Sequence, residues 1–175
     1  MKKRILMILA LGALVAGAAE WRPVALEESA ANGGATRVLT VDYADLTTAA
    51  TNTAQTLTVA IPAKCAVRLT AMVLDAAFDT ANTNYTGSLA VTVGDGSDVD
   101  LYLTSTELAS DGTEVWKKFG NTAWNSGTAT NVTFAYGSKV YTAADTLDFI
   151  FTPNAEEAVS ANTSGAMKFY FYLKP

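Results

Sequence analysis

The chain has 175 residues, of which 50% are hydrophobic and 17% charged. This composition excludes a disordered chain. The length suffices for one domain with a hydrophobic core. The net charge is −5, and residues 20–175, with 9 basic and 17 acidic residues, carry −8. Such acidity repels phosphates and anionic lipids, so we expect no nucleic-acid partner and no electrostatic membrane binding. The chain has no histidine, which removes the commonest general base and metal ligand.

Residues 1–19 combine a basic start with an apolar stretch. Three basic residues at positions 2–4 precede the uncharged run 5–15, and small residues follow. These are the parts of a secretory signal peptide, with cleavage expected after Ala18 or Ala19. The alternative is an uncleaved short apolar helix that docks the subunit onto a partner. The stretch is too short for a comfortable membrane span.

Residues 20–35 show neither a good strand pattern nor a good helix pattern. Pro23 and the pair Gly33-Gly34 interrupt regular structure, whereas Trp21 makes the front half apolar. We interpret this segment as a linker or a docking arm. The alternative is that it packs against the domain that follows.

From residue 36 onward, short segments alternate polar and apolar residues with the period of two that is typical of half-buried strands. Turn residues separate the segments. In Gly94-Asp95-Gly96-Ser97 we expect the glycines to adopt positive φ, and Asp and Ser to bond to the backbone. Thr104-Ser105-Thr106-Glu107 matches a capping box and predicts one helical turn. Nine strands are predicted, at residues 37–43, 55–61, 66–74, 88–93, 99–103, 114–119, 131–136, 145–151 and 166–173.

Two of the predicted strands carry apolar side chains on both faces. In the last strand, Tyr170 and Tyr172 alternate with Phe169 and Phe171. A strand with two apolar faces is often covered by its own core and by another subunit, which indicates a homo-oligomer. The third strand has Met72 and Leu74 on its second face, and its predicted inward side chains are Val67, Leu69, Ala71 and Val73.

Many short strands, with no long helical period after residue 20, predict an all-β fold in which two sheets cover each other. We expect a β-sandwich of about nine strands over residues 36–175, jelly-roll or Greek-key like. Residues 1–19 and 20–35 precede it as the apolar segment and the arm. Lys117 and Lys118 mark the strand at 114–119 as an edge strand.

Three acidic residues, Asp95, Asp98 and Asp100, cluster at the turn after the fourth strand. Calcium prefers several oxygen ligands from such a loop, but the spacing differs from the EF-hand pattern. The preferred interpretation is a turn in which aspartate caps the backbone, so no metal and no cofactor is expected. The alternative interpretation is that these carboxylates bind a cation.

Other candidate residues have structural interpretations beside functional ones. Cys65, the only cysteine, is expected in or near the core. The acidic residues at strand ends are ordinary there, although a glycosidase would need two of them across a cleft; they are Asp42, Asp45, Asp75 and Asp79. A sugar-stacking platform would draw on the aromatic residues, which otherwise fill the core or an interface; they are Tyr85, Tyr102, Trp116, Trp124 and Tyr136.

Three segments, Ala77-Phe78-Asp79, Val93-Gly94-Asp95-Gly96 and Tyr141-Thr142-Ala143-Ala144-Asp145-Thr146, resemble small all-β structural proteins of tailed-phage virions. These proteins are of the capsid-decoration or head-fibre type, and the resemblance covers residues 36–173. It implies a non-enzymatic protein located in the virion. Its partners would be capsid or other virion proteins, and the protein itself would be a homo-oligomer, as is usual in this family. The resemblance carries over no catalytic residue.

The signal-like residues 1–19 leave a second function open. The chain would then be a secreted or periplasmic β-sandwich binding module, with a glycan as a conceivable ligand. Trp124 is the best candidate for sugar stacking, because it lies in a polar loop without an assigned strand face. An enzyme is disfavoured, since the polar residues form no recognisable set of acid, base and nucleophile.

Overall fold

The computed structural model of the protein describes residues 20–80, 89–108, 116–119, 138–153 and 157–175. These residues contain one short helix, α1 (Leu26–Ala31), and two 3-10 turns, Tyr43–Asp45 and Val159–Ala161. Their strands are β1 (Arg22–Pro23), β2 (Arg37–Asp42), β3 (Gln55–Ile61), β4 (Cys65–Thr80), β5 (Leu89–Asp95), β6 (Asp98–Leu108), β7 (Trp116–Phe119), β8 (Lys139–Tyr141), β9 (Asp145–Thr152) and β10 (Asn162–Lys174).

The strands form two antiparallel sheets, so the predicted all-β class is confirmed. Sheet I has the order β1-β2-β10-β4-β7, and β8 also pairs with β4. Sheet II has the order β3-β9-β5-β6. Apolar side chains from both sheets join one buried cluster, which makes the arrangement sandwich-like.

Aromatic side chains form the centre of this core. Phe149 of sheet II meets Phe169 and Phe171 of sheet I edge to face, with ring centroids 4.8 and 6.0 Å apart. All three side chains are fully buried. Burying one phenylalanine contributes about 1.5–3 kcal/mol, so this contact is a principal link between the two sheets.

Most of the predicted strands are confirmed, because a strong alternation of polar and apolar residues along the sequence identifies a half-buried strand. Strand β3 has the predicted bounds, and its Leu57, Val59 and Ile61 are buried. Strand β7 lies at the end of the order of sheet I, as predicted for an edge strand. The predicted strand 131–136 lies outside the described residues. The short strands β1 and β8 were not predicted, since two or three residues show no periodicity.

Strand β4 changes face part-way along, so the predicted inward side chains are confirmed for Val67 and Leu69 and wrong for Ala71 and Val73. Its register against β10 shifts by one residue between the pairs Tyr170–Ala71 and Phe171–Leu69. Thr70 is therefore the extra residue of a β-bulge, and one extra residue turns the side chains that follow it to the opposite face. The core contains Met72 and Leu74, whereas the opposite face contains Ala71 and Val73.

The predicted helical turn at 104–107 is also wrong, because these residues continue β6. Thr106 pairs with Val91 of β5 across the sheet, and its hydroxyl donates to the Thr104 carbonyl at 3.0 Å. Sheet pairing outweighs the local capping signal here. A capping box does occur at the end of β2. The side chain of Asp42 accepts from the backbone N–H of Asp45, and the side chain of Asp45 accepts from the backbone N–H of Asp42. This 3-10 turn ends β2 before Tyr43, the last residue of the predicted strand 37–43, and leaves Tyr43 43% exposed.

Residues 20–35, interpreted as a linker or docking arm, contact the chain's own domain. Strand β1 pairs with β2. The Trp21 indole Nε1 donates to the Ala60 carbonyl of β3 at 3.1 Å. Its ring lies edge to face with Phe171 at 5.3 Å and with Phe149 at 6.4 Å. Trp21 therefore links the arm to both sheets.

Replacing Trp21 with alanine is expected to lower the free energy of unfolding by about 2 kcal/mol. A fully buried tryptophan costs about 3–5 kcal/mol when truncated, and Trp21 is only partly buried. Chemical denaturation measures the change. Leu26→Ala in the same arm is the control, because Leu26 is 87% exposed and its loss should cost less than about 0.5 kcal/mol. Equal effects of both variants would contradict a specific role of Trp21.

Candidate functional site

The most polar buried site lies where the turn between β5 and β6 meets β8. Asp95 is the last residue of β5 in sheet II, and it is fully buried. Lys139 and Tyr141 come from β8 in sheet I. The alternation of side chains along a strand puts these two residues on the same face. The site therefore spans both sheets at one end of the sandwich.

Both carboxylate oxygens of Asp95 have hydrogen-bond donors. Oδ1 accepts from Ser97 N at 2.9 Å, from Ser97 Oγ at 3.0 Å and from Asp98 N at 3.1 Å. Oδ2 accepts from Lys139 Nζ at 2.5 Å and from Tyr141 OH at 2.8 Å. Five donors around one buried carboxylate stabilise its charged form. The prediction that Asp95 caps its turn is confirmed.

The electrostatics of the site keep Asp95 ionised and the neighbouring phenols neutral. Burial alone would raise the pKa of Asp95, but hydrogen bonds from Lys139, Tyr141 and Ser97 hold it well below its usual range. Burial raises the pKa of Tyr102 to about 12, and the nearby Asp95 charge adds to the effect. Burial and the hydrogen bonds to Tyr102 and Asp95 raise the pKa of Tyr141 above its usual range.

Chemically, this arrangement suits a structural link between sheets. Tyr102 of β6 and Tyr141 of β8 share a hydrogen bond with 2.9 Å between their hydroxyl oxygens. Tyr102 also packs edge to face on Phe171, with ring centroids 5.9 Å apart. An ionised, fully hydrogen-bonded carboxylate is a poor proton acceptor, and phenols with raised pKa values are poor nucleophiles. We call Asp95, Ser97, Tyr102, Lys139 and Tyr141 the sheet clasp.

Sequence reasoning identified Asp95 but missed its partners. Lys139 and Tyr141 lie 44 and 46 residues further along the chain, in a strand too short to show a pattern. Their one local signal is the spacing i, i+2, which places a cation and a phenol on one strand face. Nothing in the sequence shows that this face meets the turn containing Asp95.

The remaining acidic residues of the turn lie on the surface. Asp98 and Asp100 are exposed, and a hydrogen bond with Asp98 raises the pKa of Asp100. Within the described parts of the chain, no group of three or more histidine, cysteine, aspartate or glutamate side chains could hold a metal ion. Because Lys139 and the turn occupy both oxygens of Asp95, that residue is unsuited to the cation alternative.

The two glycines of the turn act differently from the prediction. Neither Gly94 nor Gly96 has positive φ. A Cβ on Gly94 would lie 2.0 Å from the Asp98 carbonyl oxygen and 2.3 Å from the Val99 carbonyl carbon. A Cβ on Gly96 would meet nothing within 4 Å. The turn therefore needs glycine at position 94 because two backbone segments approach closely there.

Of the aromatic residues considered for sugar stacking, the structure describes the side-chain surroundings of Tyr102 alone. Tyr102 is buried in the sheet clasp, which confirms for this residue the interpretation that it fills the core. Tyr85, Trp124 and Tyr136 lie outside the described residues. Trp116 belongs to β7, which pairs with β4.

Cys65 and the acidic residues at strand ends have structural surroundings. Cys65 is fully buried, as predicted, and burial raises the pKa of its thiol. Asp42 and Asp45 cap the 3-10 turn after β2. The Asp75 carboxylate lies 2.7 Å from Lys168 Nζ in an ion pair. The Asp79 backbone carbonyl accepts from the Thr163 hydroxyl at 3.4 Å.

The arm covers part of the outer face of sheet I. Tyr170 of β10 is only 4% exposed and packs with Ala35 and Val38. Its hydroxyl donates to Glu28 Oε1 of α1 at 2.7 Å. Burial and this bond to Glu28 raise the pKa of Tyr170 above its usual range. The chain's own arm therefore covers Tyr170, where a second subunit was predicted.

Tyr170→Phe is expected to lower the free energy of unfolding by about 1 kcal/mol, the usual net contribution of one hydrogen bond. The ring stays, so the change isolates the bond to Glu28. Thermal unfolding at neutral pH measures it. Tyr172→Phe is the matched control, since Tyr172 lies on the same strand face but is half-buried beneath Arg68. If both variants unfold at the same temperature, the Glu28 bond contributes nothing.

In comparisons with known proteins, no family model, no curated protein and no solved structure matches this chain. The resemblance to virion proteins therefore stays a prediction from the sequence. In the described residues, no helix is long and apolar enough to cross a membrane.

Proposed function

We propose that this protein is a non-enzymatic structural component of a tailed-phage virion, of the capsid-decoration or head-fibre type. It would act through contacts with capsid or other virion proteins and with further copies of itself. The observation that carries the proposal is the order of the strands in the two sheets. The sequence resemblance described above adds to it.

The strand order supports a jelly-roll topology for the sandwich. When β1 and β8 are set aside, the other eight strands, numbered along the chain, have the orders 1-8-3-6 and 2-7-4-5. Strand 1 thus pairs with 8, 2 with 7, 3 with 6 and 4 with 5. This is the pairing of one long hairpin rolled into two sheets. Jelly rolls occur in viral capsid and lectin domains, which favours a role in assembly or binding by analogy of fold.

The polar side chains support the non-enzymatic part of the proposal. Lys139 and Tyr141 both donate to Asp95, and Asp75 pairs with Lys168. These groups hold strands together, as expected in a protein whose function depends on its surface.

Mass spectrometry on material from the native source tests the proposal. Gradient-purified particles and culture supernatant would be digested with trypsin, which does not cut before Pro23. The peptide that distinguishes the two N-termini covers residues 5–37 if no signal peptide was removed. If a signal peptide was removed, the same peptide begins at Ala19 or Glu20. We expect the uncleaved peptide in the particle band. Peptides found only in the supernatant, with the cleaved start, would overturn the proposal.

Residues 1–19 favour one second candidate, an exported β-sandwich module that binds a ligand such as a glycan. This function predicts the cleaved N-terminus and ligand binding that is lost in Trp124→Ala. A glycan array probed with wild-type and variant protein checks the ligand. Binding that is equal in the two proteins would remove Trp124 as the site.

A further inference from the structure

In the part of the chain that the structure describes, three of the four sheet edges carry features that discourage pairing with another chain. One edge of sheet I has the two-residue strand β1, which includes Pro23, beside β2. The other is formed by the short strands β7 and β8, and β7 carries Lys117 and Lys118. In sheet II, β6 has register shifts against β5 and carries Asp98 and Asp100. Short strands, proline, charges and bulges are the usual means of protecting an edge.

The fourth edge, β3 in sheet II, has none of these features. Its seven residues, QTLTVAI, include no charge, glycine or proline. It pairs with β9 over seven residues without a register shift. The outward side chains Thr56, Thr58 and Ala60 are exposed. An uncharged edge strand of this length with a regular register is a template for another strand.

The backbone of β3 directs free groups away from its own sheet. The Ala60 carbonyl accepts from Trp21, which is not part of sheet II, so it points away from β9. Alternate residues of an antiparallel edge strand direct their N–H and C=O groups to the same side. The N–H and C=O groups of Thr56 and Thr58 therefore also point away from β9, in the plane of the sheet. The described residues give these groups no backbone partner on that side.

We propose that β3 pairs with β3 of a second copy of this chain, antiparallel across a two-fold axis, to make a continuous eight-stranded sheet. Trp21 occupies the Ala60 end of the edge, so the pairing centres on Leu57. Thr56 of one copy then lies opposite Thr58 of the other, and each pair exchanges two backbone hydrogen bonds. An isologous contact of this kind presents the same surface on both copies.

Charge favours a second copy at this edge. Residues 20–175 hold 9 basic and 17 acidic residues, so two copies repel each other through their net negative charge. On the neighbouring strand β9, Asp148 lies directly opposite Thr58. Its two copies would be separated by three strand spacings, or about 14 Å. That exceeds the Debye length of about 8 Å at physiological ionic strength.

This inference does not depend on the proposed function, because β3 is the same in a virion protein and in an exported module. Its test uses the purified full chain in solution, and the particle experiment does not bear on it. Failure of either proposal would therefore be recognised separately.

Thr58→Pro is the decisive variant. Its N–H points away from β9, so proline removes no bond within the sheet but blocks pairing with a second copy. Thr58→Val is the matched control, since it removes the same hydroxyl, which bonds to Asp148, and keeps the N–H. Sedimentation equilibrium would measure the dimer. We expect Thr58→Pro to weaken dimerisation by about 100-fold and Thr58→Val to leave it nearly unchanged.

A second variant and a second measurement keep the test valid if proline disturbs folding. Thr56→Lys adds an edge charge and should also give monomers. Hydrogen exchange of the Thr56 and Thr58 amides should show protection that rises with protein concentration. A wild-type chain that is monomeric at all concentrations would overturn the proposal. So would protection independent of concentration, as expected if residues 1–19 of the same chain covered the edge.

Discussion

Replacing Asp95 with asparagine is expected to lower the free energy of unfolding by about 3–5 kcal/mol, the usual cost of removing one partner from a buried charge pair. The asparagine can still accept from the turn backbone with its oxygen. Its NH₂ group then faces Lys139, which is itself a donor. A buried donor without an acceptor has a high desolvation cost. Urea denaturation of the wild type and the variant would measure the difference.

The pH dependence of this difference identifies the carboxylate as its source. The pKa of Asp95 in the folded state is held below its usual range, whereas in the unfolded chain it should be about 3.9. A group with a lowered folded pKa adds stability above its unfolded pKa and loses it as the pH falls toward the folded value. The difference between wild type and Asp95→Asn should therefore stay constant from neutral pH to about pH 5 and shrink below about pH 4.

Asp98→Asn is the control for this experiment, since Asp98 is in the same turn but exposed. We expect it to change stability by less than about 0.5 kcal/mol at neutral pH. Lys139→Met should also destabilise the protein, because it leaves the buried Asp95 carboxylate without its ion-pair partner. A loss in Asp98→Asn that matches that of Asp95→Asn would mean that the turn as a whole, and not the sheet clasp, carries the effect.

The parts of the fold that follow from local pattern could be predicted from the sequence. Strand β3 has the predicted bounds because its alternation is regular and Pro62 follows it closely. The face of β4 could not be predicted, since the bulge at Thr70 depends on its register with β10, a hundred residues away. The end of β6 was mistaken for a helical turn because capping signals are local, whereas the pairing of Thr106 with Val91 is not.

The same distinction applies to the candidate site. The turn around Asp95 was recognised because the aspartate bonds to its own backbone two and three residues on. Its contacts with Lys139 and Tyr141 connect opposite sheets. Such contacts arise only when the sandwich closes, so neither spacing nor composition reveals them.

Replacing Gly94 with alanine is expected to destabilise the protein by about 3 kcal/mol, at the upper end of the cost of overpacking. The new Cβ would lie 2.0 Å from the Asp98 carbonyl oxygen, which is backbone and cannot rotate away. The strands β5 and β6 would have to separate at the turn. Since a chain of this size loses roughly 2–4 °C in melting temperature for each kcal/mol, calorimetry would detect the change readily.

Gly96→Ala, two residues further on, is the matched control. A Cβ there meets open space and the residue has no positive φ, so we expect a change of less than about 0.5 kcal/mol. Separation of the turn at Gly94 would also move Asp95 away from Lys139. The cost of Gly94→Ala should therefore be smaller in the Asp95→Asn background, because the two changes disrupt the same contact. Additive effects would show that the close approach at Gly94 and the sheet clasp are independent, and equal effects of the two glycine variants would refute the steric explanation.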